Sequence, residues 1–160
     1  MKILVISDTH RNLQTLTTVL ERESPVNMLI HCGDICGDEE RIAAACGCEF
    51  HAVAGNMDMG SELPPEALIE AGGRRIFAAH GHRFYVGSGL DDLKETALEN
   101  GADIVLYGHT HIPYLEETQE ITVLNPGSLS YPRQLGKQCS YGVIEIGQRG
   151  KLCCEIRYLT

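Results

Sequence analysis

Short apolar runs alternate with amphipathic segments along the first half of the chain. Residues 2–7 form an apolar run typical of a buried strand, and residues 12–23 carry leucine and valine at helical spacing. The same unit recurs, with strands predicted at 27–32 and 48–54 and a helix at 38–46. This βαβαβ order predicts a mostly parallel sheet with right-handed crossovers and helices packed on its faces.

Strands dominate the second half of the chain. A strand is predicted at 74–79, a helix at 90–99 that is capped by the Ser88-Gly89 region, and a strand at 103–107. Four more segments alternate like antiparallel strands, and we expect a second sheet from them: 114–118, 121–125, 141–147 and 151–158. Two mixed sheets flanked by helices would give a four-layer αββα sandwich of the α/β (α+β) class, although periodicity also allows one large mixed sheet.

Composition and charge exclude several classes of protein. The 160 residues are 43% hydrophobic and 22% charged, which predicts one globular domain over residues 1–160 rather than a disordered chain. The net charge of -9, without any basic run, argues against bulk nucleic-acid binding and against attraction to anionic membranes. The sequence also has neither a membrane-length apolar run nor the pattern of a secretory signal, so we expect a cytoplasmic protein.

The seven cysteines are expected to be reduced thiols, because nothing in the sequence directs the chain to an oxidising compartment. A zinc site could be sought in Cys46-x-Cys48 or in Cys153-Cys154. Neither pair has the two-residue gap that lets both thiolates of a zinc knuckle reach one ion. A cysteine-based zinc site is therefore disfavoured.

Polar side chains follow the predicted strands within a few residues. In chain order these candidate metal ligands are Asp8, His10, Asp34, Asn56, His80, His109 and His111. The carboxyl ends of parallel strands lie at one edge of a sheet, so side chains placed there converge. Glycines stand between many of them, as in His80-Gly81-His82, and let the backbone turn sharply beside an ion. Seven convergent ligands suit two metal ions.

Each fragment also has a simpler interpretation. Asp8 or Thr9 could cap the first helix, Gly33-Asp34 alone indicates only a turn, and loop histidines are usually solvated. The joint occurrence of all the fragments in this order, each at a strand end, favours the metal site.

The same residues resemble the motifs of the calcineurin-like metallophosphoesterase superfamily, and within it the small, uncapped YfcE-like phosphodiesterase branch. The blocks that carry the resemblance are Asp8-Thr9-His10, Gly33-Asp34, Gly55-Asn56, His80-Gly81, Gly108-His109-Thr110-His111 and Asn125-Pro126-Gly127-Ser128. The resemblance spans residues 2 to 132 and implies a phosphodiesterase that hydrolyses an unidentified phosphodiester substrate. It also implies that a homodimer is possible.

The resemblance further implies how the site is divided. It assigns Asp8, His10 and His111 to one metal ion and Asn56, His80 and His109 to the other, with Asp34 bridging. Such oxygen and nitrogen ligands suit two divalent ions, with manganese expected first and nickel, iron, cobalt or zinc as alternatives.

Two such ions hold a hydroxide that attacks phosphorus and neutralise charge in the transition state. In this scheme Asp34, Asn56 and His80 are the catalytic residues. Asn56, His82 and Arg133 are the candidate substrate contacts, the last because a guanidinium pairs with two phosphate oxygens.

The sequence departs from the superfamily at Met57. Many members have histidine there to protonate the leaving oxygen, whereas this chain reads Gly55-Asn56-Met57-Asp58. A thioether cannot donate a proton, so alkoxide leaving groups should depart slowly unless His82 or a water molecule substitutes. Met57 could also simply contribute to packing.

Two other functions stay open. The loss of that histidine is compatible with a protein-interaction scaffold of the same fold, as in the retromer subunit, although retention of all seven ligand types favours an enzyme. A nucleotide-binding Rossmann domain is weakened because no G-x-G-x-x-G follows the first strand.

Overall fold

The computed structural model describes all 160 residues, which form ten strands and three helices. The strands are β1 (Lys2–Ile6), β2 (Met28–His31), β3 (Glu49–Ala52), β4 (Glu66–Ala71), β5 (Arg74–Ala79), β6 (Ile104–Leu106), β7 (Tyr114–Glu117), β8 (Thr122–Asn125), β9 (Ser140–Ile146) and β10 (Leu152–Tyr158). The helices are α1 (Leu13–Glu23), α2 (Glu39–Cys46) and α3 (Asp91–Glu99). None of these helices has the length and apolar character needed to cross a membrane.

The strands form two five-stranded mixed sheets. The first has the order β10-β9-β1-β2-β3, in which β1, β2 and β3 run parallel and the β9–β10 hairpin is antiparallel to β1. The second has the order β4-β5-β6-β8-β7, with β5, β6 and β8 parallel and an antiparallel strand at each edge. The predicted parallel sheet from the first half of the chain is thus present in the first sheet, from its central strand β1 to its edge strand β3.

Alternation along the strands sorts the apolar side chains into three cores. Ile3 and Val5 of β1 face the second sheet in a central cluster that also contains Ile76 and Leu106. The intervening residues of β1 point to the opposite face and pack with α1 and α2. On the outer face of the second sheet, side chains of β5, β6 and β8 pack with α3. Three cores between four layers confirm the predicted αββα sandwich, because the central strands of each sheet bury both of their faces.

Strand β4 was not predicted from the sequence. Its residues Ala67, Ile69 and Ala71 face the central core in period-2 alternation, but they are separated by glutamates and a leucine that is 47% exposed. Glutamate and alanine are both poor strand formers, so the local signal is weak. Six register pairs with β5 stabilise the strand at the edge of the sheet instead.

The placement of the last strands was also predicted incorrectly. Strands β9 and β10 were expected in the second sheet, but they extend the first sheet beside β1. Periodicity shows which faces are buried, and it carries no information about which strand is the neighbour. In addition, β8 is antiparallel to β7, as expected, but it also pairs with β6, and that pairing is parallel.

The start of α3 corrects a smaller prediction. The residue before the helix is Leu90, and no side chain caps the first turn, so the Ser88-Gly89 region does not cap this helix. Asp91 and Asp92 occupy the first turn instead. Their negative charges stabilise the positive end of the helix dipole, which reduces the need for a cap.

A buried carboxylate joins the first helix to the β9–β10 hairpin. Glu23, at the end of α1, accepts a hydrogen bond from the Tyr141 hydroxyl at 2.7 Å and pairs with both Lys2 Nζ and Arg157 Nη1 at 2.6 Å. Burial by itself would raise the pKa of Glu23, but these three partners together lower it to about 2.

Replacing Glu23 with glutamine is expected to lower the free energy of unfolding by about 3 kcal/mol at pH 7, since it leaves Lys2 and Arg157 without their buried partner. The folded-state pKa of the carboxyl is below its ordinary value of 4.5, so its stabilisation is complete above pH 4.5 and is lost as the pH falls towards about 2. Urea unfolding of both proteins from pH 7 to pH 2 should therefore show the difference shrinking over that window. Glu155→Gln is the matched control, because exposed Glu155 also pairs with Arg157, at 2.8 Å. A constant difference across the pH range would contradict this assignment.

Candidate metal centre

The seven predicted ligands lie on loops that leave the ends of five strands. Asp8 and His10 follow β1, and Asp34 follows β2. Asn56 comes after β3, His80 directly after β5, and the His109–His111 loop after β6. The first three strands belong to one sheet and the last two to the other, so both sheets contribute to the centre.

The structure brings the side chains of all seven together. Asp8 Oδ1 lies 3.1 Å from His111 Nε2 and 3.9 Å from both His10 Nε2 and His80 Nε2. Asp34 Oδ2 lies 3.4 Å from His80 Nε2 and 3.7 Å from His10 Nε2.

Asn56 closes the group on its other side. Its Oδ1 lies 3.1 Å from His80 Nε2 and 3.0 Å from His109 Nδ1. The predicted assignment of one triad to each ion stays a prediction. The ligand atoms of Asp8, His10 and His111, the triad assigned to one ion, all lie within 4.8 Å of one another. Those of Asp8, Asp34 and His80 do so as well, and this second group contains residues assigned to both ions.

Backbone carbonyls orient two of the histidines. The Nδ1 of His80 lies 2.7 Å from the carbonyl oxygen of Cys32, and the Nδ1 of His111 lies 2.7 Å from that of Tyr131. A carbonyl only accepts, so each Nδ1 carries the proton and donates it. In the neutral imidazole the lone pair is therefore on each Nε2, which faces the carboxylates and can bind a cation.

The ligand loops have an uncommon backbone conformation. Five of the seven predicted ligands have positive φ angles between 42° and 66°, namely Asp8, His10, Asp34, His109 and His111. A non-glycine residue in this left-handed region costs about 1 kcal/mol. Such strain persists only where the surrounding structure enforces it, and it concentrates at functional sites.

Two glycines allow the loops to approach each other. A Cβ atom at Gly55 would overlap the side chain and backbone of Asp34, and one at Gly108 would overlap the Ser7 hydroxyl and lie 2.8 Å from Asp8 Oδ2. These positions require glycine for close approach rather than for a turn, since neither has a positive φ.

The charges of the centre favour a cation. Burial would raise the pKa of Asp34, but His80 and the backbone N–H of Met57 lower it to about 2. Burial likewise opposes ionisation of Asp8, and His111 and His80 still hold its pKa below the usual value. Conversely, the two carboxylates raise the pKa of His80 despite its burial. Two ionised carboxylates thus stand within a ring of imidazoles.

Unpaired buried atoms show that these residues fit a metal ion. Asp8 Oδ1 and His10 Nε2 are both buried, and neither has a hydrogen-bond partner. Leaving buried polar atoms unpaired is costly, whereas a cation between them would satisfy both. Carboxylate, amide oxygen and imidazole are ligands of first-row divalent ions, so the residues present fit the predicted pair of divalent cations.

Asp58 organises the Asp34 loop, a role that sequence reasoning missed. Its Oδ2 accepts hydrogen bonds from the backbone N–H groups of Asp34 at 2.7 Å, Ile35 at 3.3 Å and Gly55 at 2.8 Å. Its Oδ1 accepts one from Cys36 N at 2.7 Å. One buried carboxylate therefore holds the loop of the bridging candidate against the Gly55-Asn56 loop. The available signal was its place directly after Gly55-Asn56-Met57.

The Asn125–Ser128 segment connects the first ligand loop to the last. Asn125 Nδ2 donates to the carbonyl of Gly108 at 2.9 Å, and the Ser128 hydroxyl donates to the carbonyl of Asp8 at 2.9 Å. Buried His31 connects the first and second loops in the same way, through Thr9 Oγ1 at 3.0 Å and the backbone N–H of Gly33 at 3.1 Å. These polar contacts lock the loops relative to one another.

A cleft of about 640 Å³ opens over the ligands. Its walls include Met57, Arg133 and Lys137, so the structure places the predicted substrate contact Arg133 at the cleft, together with a lysine that the sequence did not indicate. Met57 is 59% exposed, which overturns the interpretation of this residue as core packing. His82 does not line the cleft. Its ring lies 5.4 Å from that of His80 and 6.1 Å from that of His109, and its role in substrate binding stays a prediction.

Comparisons with known proteins agree with this geometry. The family model of the calcineurin-like phosphoesterase superfamily domain matches residues 1–149. The chain is 33% identical to a probable metallophosphoesterase, YsnB, of Bacillus subtilis, covering 91% of this chain and 85% of the relative. It is 32% identical to the phosphodiesterase YfcE of Escherichia coli K12, covering 91% and 88%.

Solved structures share the fold. A predicted phosphoesterase of Streptococcus pneumoniae TIGR4 superimposes with a TM-score of 0.79 at 28% identity, covering 98% of this chain and 97% of that one. Vps29 of Entamoeba histolytica, solved in complex with zinc, superimposes with a TM-score of 0.77 at 24% identity, covering 99% of both chains, a likeness that shows the fold alone. The match over most of the chain, the two metallophosphoesterase relatives and the shared sandwich place this protein in one family: it belongs to the calcineurin-like phosphoesterase superfamily.

Proposed function

We propose that the protein is a metal-dependent phosphodiesterase with a dinuclear centre. The observation that carries the proposal is the convergence of seven oxygen and nitrogen side chains, two of whose buried atoms, Asp8 Oδ1 and His10 Nε2, have no hydrogen-bond partner. The 32% identity to a phosphodiesterase supports the reaction class. Manganese is the metal we expect, and the oxygen and nitrogen ligands equally accept nickel, iron, cobalt or zinc.

Each side chain has a defined part in this proposal. Two divalent ions, when bound, supply a hydroxide nucleophile at neutral pH and neutralise charge on the phosphoryl group. Asp34 lies between the His10 and His80 sides and would contribute to both positions. Asn56 and His80 would orient the phosphoryl oxygens as well as hold metal. Cys32 and Tyr131 carbonyls keep the His80 and His111 lone pairs directed inwards, so that the centre needs little reorganisation on binding.

The test is hydrolysis of two aryl phosphates by metal-stripped protein refilled with Mn²⁺, Ni²⁺, Zn²⁺ or Mg²⁺. We expect bis(p-nitrophenyl) phosphate to be hydrolysed in preference to p-nitrophenyl phosphate, and only after metal is restored. The aryl leaving group needs little protonation, so the test does not depend on an acid at position 57. Binding of two ions per chain, measured by calorimetry, without turnover with any metal would refute the enzyme and leave the interaction scaffold.

Met57 should make the rate depend steeply on the leaving group. Its thioether is exposed in the cleft where many superfamily members have an acidic histidine, and it cannot donate a proton. Met57→His is therefore expected to raise kcat for dialkyl phosphodiesters, in which only an alkoxide can leave, by about 100-fold, and to change the rate for p-nitrophenyl esters much less. The plot of log kcat against leaving-group pKa should become flatter.

Met59→His, at a neighbouring side chain that is 91% exposed, is the control and should leave the slope unchanged. Parallel plots for Met57→His and the parent protein would count against this explanation.

The interaction scaffold is the second candidate function. The absence of the leaving-group acid and the likeness to Vps29 in fold both favour it. Retention of the complete ligand set and of the strained ligand backbone favours the enzyme, because a scaffold has no need to keep either.

A further inference from the structure

We propose that the Ser130–Lys137 segment is a substrate-recognition loop, and that it selects phosphodiesters which carry a second phosphate and a planar ring, as nucleotides do. This inference rests on the proposed phosphodiesterase activity and names its substrate class. The segment supplies five of the eleven residues that line the cleft, and only one of them, Arg133, was indicated by the sequence.

The loop brings two cations to a cleft in a strongly acidic protein. One arginine and one lysine line the cleft, Arg133 and Lys137, although the whole chain carries a net charge of -9. Both side chains are exposed, and neither lies within 4.0 Å of a carboxylate. By contrast, the exposed Arg75 pairs with Glu70 at 3.1 Å. Two cations free of internal partners at a cleft attract an anion beyond the one held at the metal centre.

The same loop exposes an aromatic ring beside the ligands. Tyr131 is 61% exposed, and its ring stands edge-on to the ring of His10 with centroids 5.4 Å apart. Met57, which also lines the cleft, is 59% exposed. Exposed apolar side chains grouped at a cleft are typical of ligand-binding grooves, and an aromatic face suits a planar ring such as a nucleobase.

Short contacts fix this loop to the metal ligands. The carbonyl of Tyr131 accepts from His111 Nδ1 at 2.7 Å, and Arg133 N donates to the carbonyl of His111 at 3.0 Å. The Ser130 hydroxyl donates to the carbonyl of Thr9. The loop is therefore held next to the position of the scissile phosphate, and its aromatic and cationic groups are preorganised rather than carried on a free surface segment.

The combination defines the ligand chemistry. A planar ring on Tyr131 and an additional anion at Arg133 and Lys137 would accompany the scissile diester at the metal centre. A simple diaryl phosphate lacks the second anion, and a choline ester carries a positive charge that the two cations repel. A nucleoside bearing one phosphodiester and one further phosphate satisfies all of these features.

The test uses a matched pair of chromogenic diesters, thymidine 5′-(p-nitrophenyl phosphate) and the same compound with a 3′-phosphate. With restored Mn²⁺, the 3′-phosphate should raise kcat/KM by about tenfold, through charge-assisted contacts. Lys137→Gln and Arg133→Gln should each reduce that ratio, and the double variant should bring it close to one. Lys151→Gln, which removes an exposed lysine outside the cleft, should keep the parent ratio. The ratio of kcat/KM for p-nitrophenyl phosphorylcholine to kcat/KM for the thymidine diester should be higher in the double variant than in the parent protein, because the two repelling cations are gone.

A binding measurement separates this inference from the enzyme itself. Calorimetric titration with thymidine 3′,5′-bisphosphate and with thymidine 5′-phosphate should show tighter binding of the bisphosphate, lost in the double variant. Tyr131→Leu should weaken binding of both nucleotides about fivefold relative to inorganic phosphate, with recovery in Tyr131→Phe. Turnover of bis(p-nitrophenyl) phosphate combined with equal binding of the two nucleotides in all variants would overturn the recognition loop and leave the phosphodiesterase intact. Preferential binding without turnover would support the loop and refute the enzyme.

Discussion

Replacing Asp34 with asparagine is expected to lower kcat/KM for bis(p-nitrophenyl) phosphate by at least about a thousandfold. Asp34 Oδ2 faces His80 Nε2 at 3.4 Å and His10 Nε2 at 3.7 Å, so this one oxygen serves both sides of the centre. An amide there would remove a negative charge that the two proposed cation positions share. Its Oδ1 accepts from the backbone N–H of Met57 at 2.8 Å, a contact that asparagine can retain, so the fold should survive.

The experiment measures kcat/KM, metal content by mass spectrometry and the thermal midpoint on the same samples. Metal content should fall below the two ions per chain that we propose for the parent protein, while the midpoint without metal stays within a few degrees of the parent value. Asp92→Asn, an exposed carboxylate in the first turn of α3, is the control and should keep both metals and the full rate. Activity of Asp34→Asn within tenfold of the parent protein would exclude Asp34 as the bridging ligand.

Asp58→Asn is expected to lower the free energy of unfolding by about 3 kcal/mol and kcat/KM by about 100-fold, although Asp58 is not a predicted ligand. Its two oxygens accept four backbone N–H groups at 2.7–3.3 Å. Whichever way the asparagine side chain turns, its NH₂ group faces at least one of these donors. The Asp34 loop, whose residues 34 and 36 have positive φ, would then lose the contact that holds it in place.

Two measurements on Asp58→Asn separate a role in positioning the Asp34 loop for metal binding from a role in stability alone. Urea unfolding gives the stability loss, and titration of Mn²⁺ into metal-free protein should show weaker affinity even at temperatures where the variant is fully folded. Asp103→Asn is the control, because Asp103 accepts a single backbone N–H, from Arg75 at 2.9 Å, and lies at the opposite end of β6 from the His109–His111 loop. Asp58→Asn with unchanged Mn²⁺ affinity and rate would show that the four hydrogen bonds contribute to stability alone.

Most of the sandwich could be predicted because its signals are local. Strand β1 is a continuous apolar run because it lies between a helix layer and the second sheet, and both of its faces are buried. Strand β4 escaped prediction because its glutamates and alanines suit an edge strand that depends on its partner β5. The pairing of β9 with β1 joins residues about 140 positions apart, and no window of sequence contains both.

The sequence by itself determined which side chains could meet. A polar residue that comes just after a buried strand must lie at the end of that strand, and Asp8, Asp34 and His80 all do so. Only the tertiary structure decided how they are held. The four hydrogen bonds to Asp58 and the attachment of the Arg133 segment to His111 both join separate loops. Such contacts depend on where the two sheets place their loops relative to one another, and that placement is set by the packing of buried faces across the central core, which the periodicity of any single segment does not encode.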